Sequence, residues 1–214
     1  MAITLSTGTV VAIAATYGVS VTMSALTNAS EAVATLAAGH GVVVGDFLEV
    51  NSGWGRLNQR IVRVKAVSTN DITLEKIDTT STTFYPAGQG IGNIRRITSW
   101  MNLTQVAEIN MSGGEQQYYD ITALEDVVGK QIPTVRSPIS MTITVFYDQT
   151  LSWNSNVLTA DAARIPYGML MTMANGSKVV ANAYWSMQRV PQVATNQALK
   201  TSISLSYAAE PMGY

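Results

Sequence analysis

The chain has 214 residues, of which 47% are hydrophobic and only 13% are charged, about half the charged share usual in soluble domains. Lys and Arg number 13 against 14 Asp and Glu, a formal net charge of -1, which excludes a strongly basic nucleic-acid binder and an acidic disordered tail. With no Cys and a single His, His40, the chain cannot build a disulfide framework, a thiolate metal site, a catalytic thiol or any site that needs two His.

The remaining composition favours strands, with 24 Thr and 22 Val, both β-branched. The first 30 residues carry no charged side chain. They lack the basic start of a signal peptide, and recurrent Thr and Ser interrupt any membrane-length apolar run. Synthesis in a reducing cytoplasm is the expectation. Val10–Thr16 and Val19–Ala25 read as strands flanking Tyr17-Gly18. Residues 28–38 predict a short helix capped by Asn28 or Ser30. Asp46–Asn51 reads as a strand with Phe47, Leu48 and Val50 apolar, followed by a turn at Ser52–Gly55. Gln59–Ala66 and Asp71–Ile77 alternate, and such short, regularly spaced strands predict a small antiparallel barrel or sandwich. The Gly-rich Pro86–Asn93 reads as a long loop or linker.

In the second half the alternation is clearer. Ile139, Met141, Ile143, Val145 and Tyr147 occupy every second position, with Ser140, Thr142 and Thr144 between them, the period of a strand buried on one face. Asn156–Arg164 predicts a short helix with Leu158, Ala162 and Ala163 on one face, stopped by Pro166. Tyr167–Met173 and Val179–Met187 flank Asn175-Gly176, the strongest hairpin signal in the chain. Leu199–Tyr207 sets Thr201, Ile203, Leu205 and Tyr207 against Lys200, Ser202, Ser204 and Ser206. Between Met111 and Pro138 lies a polar segment of weak periodicity that starts at Gly113-Gly114. Its Tyr118, Tyr119, Ile121, Leu124 and Val127 are residue types that disordered segments lack, so it reads as a functional loop.

Catalytic groups are scarce. Gly88-x-Gly90-x-Gly92 has neither the spacing nor the strand–helix frame of a phosphate loop. Asp120, Glu125 and Asp126 match no EF-hand spacing and read as solvated loop carboxylates. His40 has no partner nucleophile. Met169, Met171, Met173 and Met187 fit period-2 packing or an adaptable surface. Trp54, Trp100, Trp153 and Trp185 fit structural roles, with a sugar-stacking platform as the alternative. An enzyme is therefore not expected, and neither a metal nor a cofactor site.

The C-terminal strands leave their edges nearly unguarded: Ile139–Tyr147 and Tyr167–Met173 carry no charge, and Leu199–Tyr207 carries only Lys200. Monomers normally protect such edges; edges that pair head to tail between copies close into a ring. The order of features in this half resembles the tail tube protein (major tail protein) of long-tailed, non-contractile bacteriophages. The matching features are the Ser/Thr-rich strand Ile139–Tyr147, the short helix Asn156–Arg164 and the hairpin from Met169 through Asn175-Gly176 to Val180. Tyr184-Trp185, a connection through Pro191 and a final Thr/Ser-alternating strand ending at Tyr207 complete the order. Residues 99–118 and Gly45–Trp54 resemble further segments of one subgroup.

The resemblance implies a mainly β fold: a tail-tube-type β-sandwich with one short flanking helix and a long hairpin loop. A small extra N-terminal β-domain is added to it here. Residues 99–214 would form the sandwich and 30–98 the extra domain on the tube exterior, with 1–29 as N-terminal strands that the tube fold can include. It further implies a homo-oligomer of hexameric rings stacked into a tube, with tail tip, tape measure and tail terminator proteins as partners. DNA would pass through without specific binding, and this chain would not insert into a membrane. Gly113, Gly114, Tyr118, Tyr119, Leu124 and Val127 would belong to the loop that joins rings. Ser140, Thr142, Thr144, Thr172, Ser202, Ser204 and Ser206 are the candidates for the inner barrel or lumen, where hydroxyls do not anchor phosphates as basic side chains would. Such a chain would be made in the host bacterial cytoplasm and reside in the virion tail. A related secretion-system tube subunit or head decoration protein is the alternative, and a carbohydrate-binding sandwich using Trp54 or Trp185 is a third reading.

Overall fold

The computed structural model describes residues 7–193 and 195–214; the expectations placed on residues 1–6 lie outside it. The described chain opens with β1 (Val10–Tyr17) and then winds through β2 (Val21–Leu26), β3 (Val33–Leu36), β4 (Phe47–Ser52), β5 (Arg60–Ser68), β6 (Asp71–Leu74) and β7 (Gly92–Asn102). Strands β2 to β7 are hydrogen-bonded in the order β2-β3-β6-β5-β4-β7, and β7 pairs back onto β2 through Val21↔Ile94 and Met23↔Gly92, which closes a small barrel. Closure leaves these strands no long free edge. Met23, Leu36, Leu48, Val62, Ile72, Leu74 and Ile94 fill the interior, and Trp54 seals one end against Tyr85, ring to ring at 5.2 Å.

Two local expectations fail inside this barrel. Residues 28–38 form no helix: Val33–Leu36 is a strand held between β2 and β6, with Ala32, Ala34 and Leu36 turned inward. Asn28 caps nothing; its amide donates to the carbonyls of Thr79 and Tyr85, each at 2.8 Å. The Ala-rich run favours helix intrinsically, but so short a helix is marginal alone, and two flanking strands and an apolar interior outweigh the preference. Pro86–Asn93 is not a free linker either. The Trp54 indole donates to Pro86 O at 2.8 Å, Ser52 Oγ donates to Gly90 O at 2.8 Å, and β7 already begins at Gly92. A Cβ at Gly92 would sit 2.1 Å from Asn51 O, so only glycine lets β7 lie this close to β4.

Beyond the barrel come β8 (Val106–Ser112), β9 (Gln116–Asp120), β10 (Gln131–Arg136), β11 (Ser140–Phe146) and helix α1 (Ser152–Ala163). After them follow β12 (Tyr167–Thr172), β13 (Lys178–Met187), β14 (Lys200–Tyr207) and the short β15 (Met212–Gly213). β7 changes partners midway. Its first residues pair with β2 and β4, and Ile97–Asn102 pair with β1. From there a second antiparallel sheet runs β7-β1-β12-β13-β14-β11-β8, with β15 added beside β13. Its inner face carries Val11 and Ile13, Met141, Ile143 and Val145, Met169, Ala181, Ala183 and Trp185, and Ile203 and Leu205. Val106 and Ile109 of β8 pack on the same core, so the sheet turns back on itself in sandwich fashion. Among the described residues the fold is mainly β with one helix and one long hairpin, β9–β10, as expected.

α1 covers the core, but it starts four residues before the predicted segment; Leu158 packs half-buried against the same core, Ala162 and Ala163 are exposed, and the buried face is Trp153, Val157 and Ala160. That face repeats at i, i+4, i+7, the helical period, and the large indole of Trp153 sets it. The helix stops at Arg164, whose backbone turns left-handed at φ 53°, two residues before Pro166. Barrel and sheet meet over a third apolar cluster of Ala14, Phe47, Ile61, Ile97 and Val180. Glycine at 168 permits this contact, since a Cβ there would approach Ile61 Cδ1 to 2.9 Å and Ile97 Cδ1 to 3.0 Å. Among the described residues no helix is long and apolar enough to cross a membrane.

Candidate functional site

The groups considered for chemistry are dispersed. Among the described residues no three His, Cys, Asp or Glu are grouped to hold a metal ion. His40 is tied into its own loop: Val42 N–H donates to its Nδ1 at 3.0 Å, and its Nε2 lies 2.9 Å from Thr69 O. Trp54, Trp153 and Trp185 are buried, so neither Trp54 nor Trp185 offers a ring for a sugar to stack on. Met169 and Met187 are core residues, and Met171 is half-buried against the same core.

Two surfaces stand out instead. The first is the outer face of the second sheet. Alternation on β11 and β14 sends Met141, Ile143, Val145, Ile203 and Leu205 inward and leaves Phe146 outside against Lys200, and the antiparallel register aligns the hydroxyl residues that remain. Ser140 faces Ser206 on one side and Ser112 on the other, Thr142 faces Ser204 and Asn110, and Thr144 faces Ser202 and Glu108. Ser112 and Ser140 share a hydroxyl hydrogen bond of 2.8 Å. β13 extends the rows with Ser186 opposite Ser204 and Tyr184 opposite Ser206. Six of the seven candidate lumen residues therefore form one contiguous hydroxyl surface, with Glu108 at one margin and Lys200 beside Ser202 at the other. Thr172 is not among them. It lies at the end of β12, between Val10 and Lys178, at the far side of the sheet.

The second surface is an arm. Gly113 and Gly114, both at positive φ (84° and 80°), form its root, and Gly114 N–H donates to Ser137 O. Among the described residues β9 and β10 then pair only with each other, through Tyr119↔Ile132 and Tyr118↔Pro133. Tyr118, Tyr119, Leu124 and Val127 are exposed, and so are Val128 and Val135. The tip is nonetheless ordered. Asp120 accepts the backbone N–H and the hydroxyl of Thr122, and these bonds hold its carboxyl below the usual aspartate range. Asp126 accepts from Lys130 and from Ala123 N–H, with the same effect. The Asp-x-Thr turn recurs at Asp78–Thr80 and Asp148–Thr150. That triplet was a legible signal for ordered turns.

Residue-type reasoning missed the seam between barrel and sheet. Glu49 accepts from Arg95 Nε at 3.0 Å and from Asn182 Nδ2 at 3.1 Å. The signal was one carboxylate inside the apolar run Phe47-Leu48-Glu49-Val50, since a lone acidic residue in a strand buried on both faces needs a partner.

A protein-family model described as phage tail tube protein, TTP, matches residues 52–214. The chain belongs to the phage tail tube protein family. The match begins at the last residue of β4, so it takes in the later strands of the barrel and every strand of the second sheet except β1, together with the arm. No curated protein matches the chain. Membership makes this a structural component of the virion tail that assembles in a tube with other tail proteins.

Proposed function

We propose that this tail tube protein assembles as hexameric rings that stack into the conduit through which DNA leaves the virion. The hydroxyl face of β8, β11 and β14 lines the bore, the β9–β10 arm joins successive rings, and the barrel is an accessory domain on the outside. Tail tip, tape measure and tail terminator proteins meet the ends of this tube, and the chain is made in the cytoplasm of the host.

One observation carries the reading: a broad polar face with almost no charge, left uncovered beside a covered one. The outer surface of β13 is buried under the barrel at Val180 and Asn182 and bare at Tyr184 and Ser186, and it stays bare across β14, β11 and β8. β8 curls back toward the core opposite β12, so the bare face continues past the strands that the barrel covers. Hydroxyls satisfy water without fixing phosphates, which suits a bore that must let DNA slide. Negative-stain microscopy of concentrated purified protein tests the proposal. Rings with sixfold symmetry or hollow tubes are expected. A uniform monomer at high concentration, or rings of another order, would overturn it.

A further inference from the structure

The arm and one cleft are complementary, and among the described residues neither has a partner. The cleft, about 860 Å3, opens between β8 and the end of the sheet where β1 meets β12. Thr9, Met171 and Met173 form one wall, Ile109 and Met111 the other, and the core lies at its floor. Among the described residues β8 pairs with β11 alone, and its other edge, facing the cleft, has no strand partner there. Methionines at the mouth give it an adaptable apolar lining.

The arm tip supplies what the cleft lacks. Leu124 and Val127 are fully exposed on a turn that Asp126 holds in shape through Ala123 N–H and Lys130. An isolated two-stranded ribbon is marginal in water and calls for a second surface. Its own cleft is out of reach. The arm leaves from the end of β8, which is itself a wall of the cleft, and its root is tied by Gly114 N–H to Ser137 O and by Ser137 N–H to Glu115 O. About ten residues each way at ~3.3 Å per residue carry the tip roughly 30 Å from that root.

We propose that the cleft between β8 and the β1–β12 end of the sheet receives Leu124 and Val127 from the arm of a second copy. Each chain then offers one donor tip and one acceptor cleft at different places, a heterologous contact that repeats into an open stack and does not close. The proposal rests on the tube reading above and names the acceptor for its arm.

The chain has no cysteine, so single introduced thiols report the contact cleanly. Leu124→Cys chains are mixed with Met173→Cys chains, concentrated, oxidised and viewed by electron microscopy. The expected result is tubes in which disulfide-linked dimers exceed those in dilute subunits by about tenfold or more, as a held pair raises the effective concentration. Tubes without the cross-link would overturn the cleft assignment and leave the tube reading standing; absence of rings and tubes from wild-type protein would overturn both. A disulfide within one dilute chain carrying both substitutions would assign the cleft to its own arm. One between Leu5→Cys and Met111→Cys in a dilute single chain would assign it to the first residues of the chain. Either result overturns the proposal.

Discussion

Glu49 on β4 and Asn182 on β13 meet at 3.1 Å across the seam between the closed barrel and the open sheet. Glu49 is only 3% exposed, and its other carboxylate oxygen takes the Arg95 guanidinium. That guanidinium lies 4.5 Å over the Tyr17 ring, and Tyr17 Oη accepts the Gly168 N–H at 2.8 Å. Burial pushes the Tyr17 phenol far above its usual range. The seam therefore joins β1, β4, β7, β12 and β13 through one polar chain set in an apolar cluster, a device that fixes orientation because each group has few other partners.

Removing the carboxylate should expose that dependence. Glu49→Ala leaves Arg95 and Asn182 without their acceptor and is expected to cost about 2–4 kcal/mol, by the logic of a buried pair broken on one side. Urea unfolding of the variant checks it through the midpoint at unchanged slope. A loss under about 0.5 kcal/mol would show that the seam is held by the apolar cluster alone.

The arm root should be separable from the folding of the body. Gly113→Val places a β-branched side chain at a φ of 84°, with its Cβ against Pro138 O. The arm packs on no core, so the melting temperature should move little while the ribbon is misdirected. Thermal melting by circular dichroism together with sedimentation reads both effects. Assembly equal to wild type would remove the root from the account.

Ser202→Lys with Ser204→Lys places two cations on the hydroxyl face, next to Thr142 and Thr144. Both positions point away from the core, so the subunit should fold normally. If this face lines the bore, the lysines grip phosphates, and DNA release from assembled tails slows, with the effect relieved by salt. Release kinetics unchanged in phage with normal tails would assign the bore to another face.

Acid sensitivity has a definite sign at the barrel. The Arg63 guanidinium, hydrogen-bonded to Glu75 at 2.5 and 2.7 Å, holds the Glu75 carboxyl below the usual glutamate range. A carboxyl whose folded value is lowered contributes stability that is fully present above its unfolded value, near 4.5, and that is lost as pH falls through the lowered one. Glu75→Gln should thus lower stability at pH 7 and flatten the decline of stability below about pH 4.5. Parallel acid limbs for variant and wild type would show that Glu75 does not contribute.

Much of the second sheet was legible because its strands are one-sided. At Ile139–Tyr147 and Leu199–Tyr207 the alternating set reads through, and the structure buries its central members Met141, Ile143, Val145, Thr201, Ile203 and Leu205. The place of Trp153 on the helix face is not legible, because a lone Trp beside Ser and Asn has no period until the helix is known to begin at Ser152. The segment 28–38 misled for the opposite reason: Ala-rich composition speaks for helix, and only the strands on either side of Val33–Leu36 overrule it. β4 could not show alternation at all, since the barrel interior covers one face of Phe47–Ser52 and the second sheet the other.

Local chemistry alone determined the strand-rich character, the poverty in catalytic groups, the hydroxyl alternation and the ordered turns at Asp-x-Thr, because each depends on residues within a few positions of one another. Tertiary structure decided the rest. Gly92 and Asn51 must approach before the barrel can close, Glu49 finds Asn182 only when β4 crosses β13, and Ser112, Ser140 and Ser206 become one row only through long-range register. Thr172 has the same chemistry as Thr142 and falls outside that row, because the side chain's neighbours are set by which strands pair and not by the residue itself.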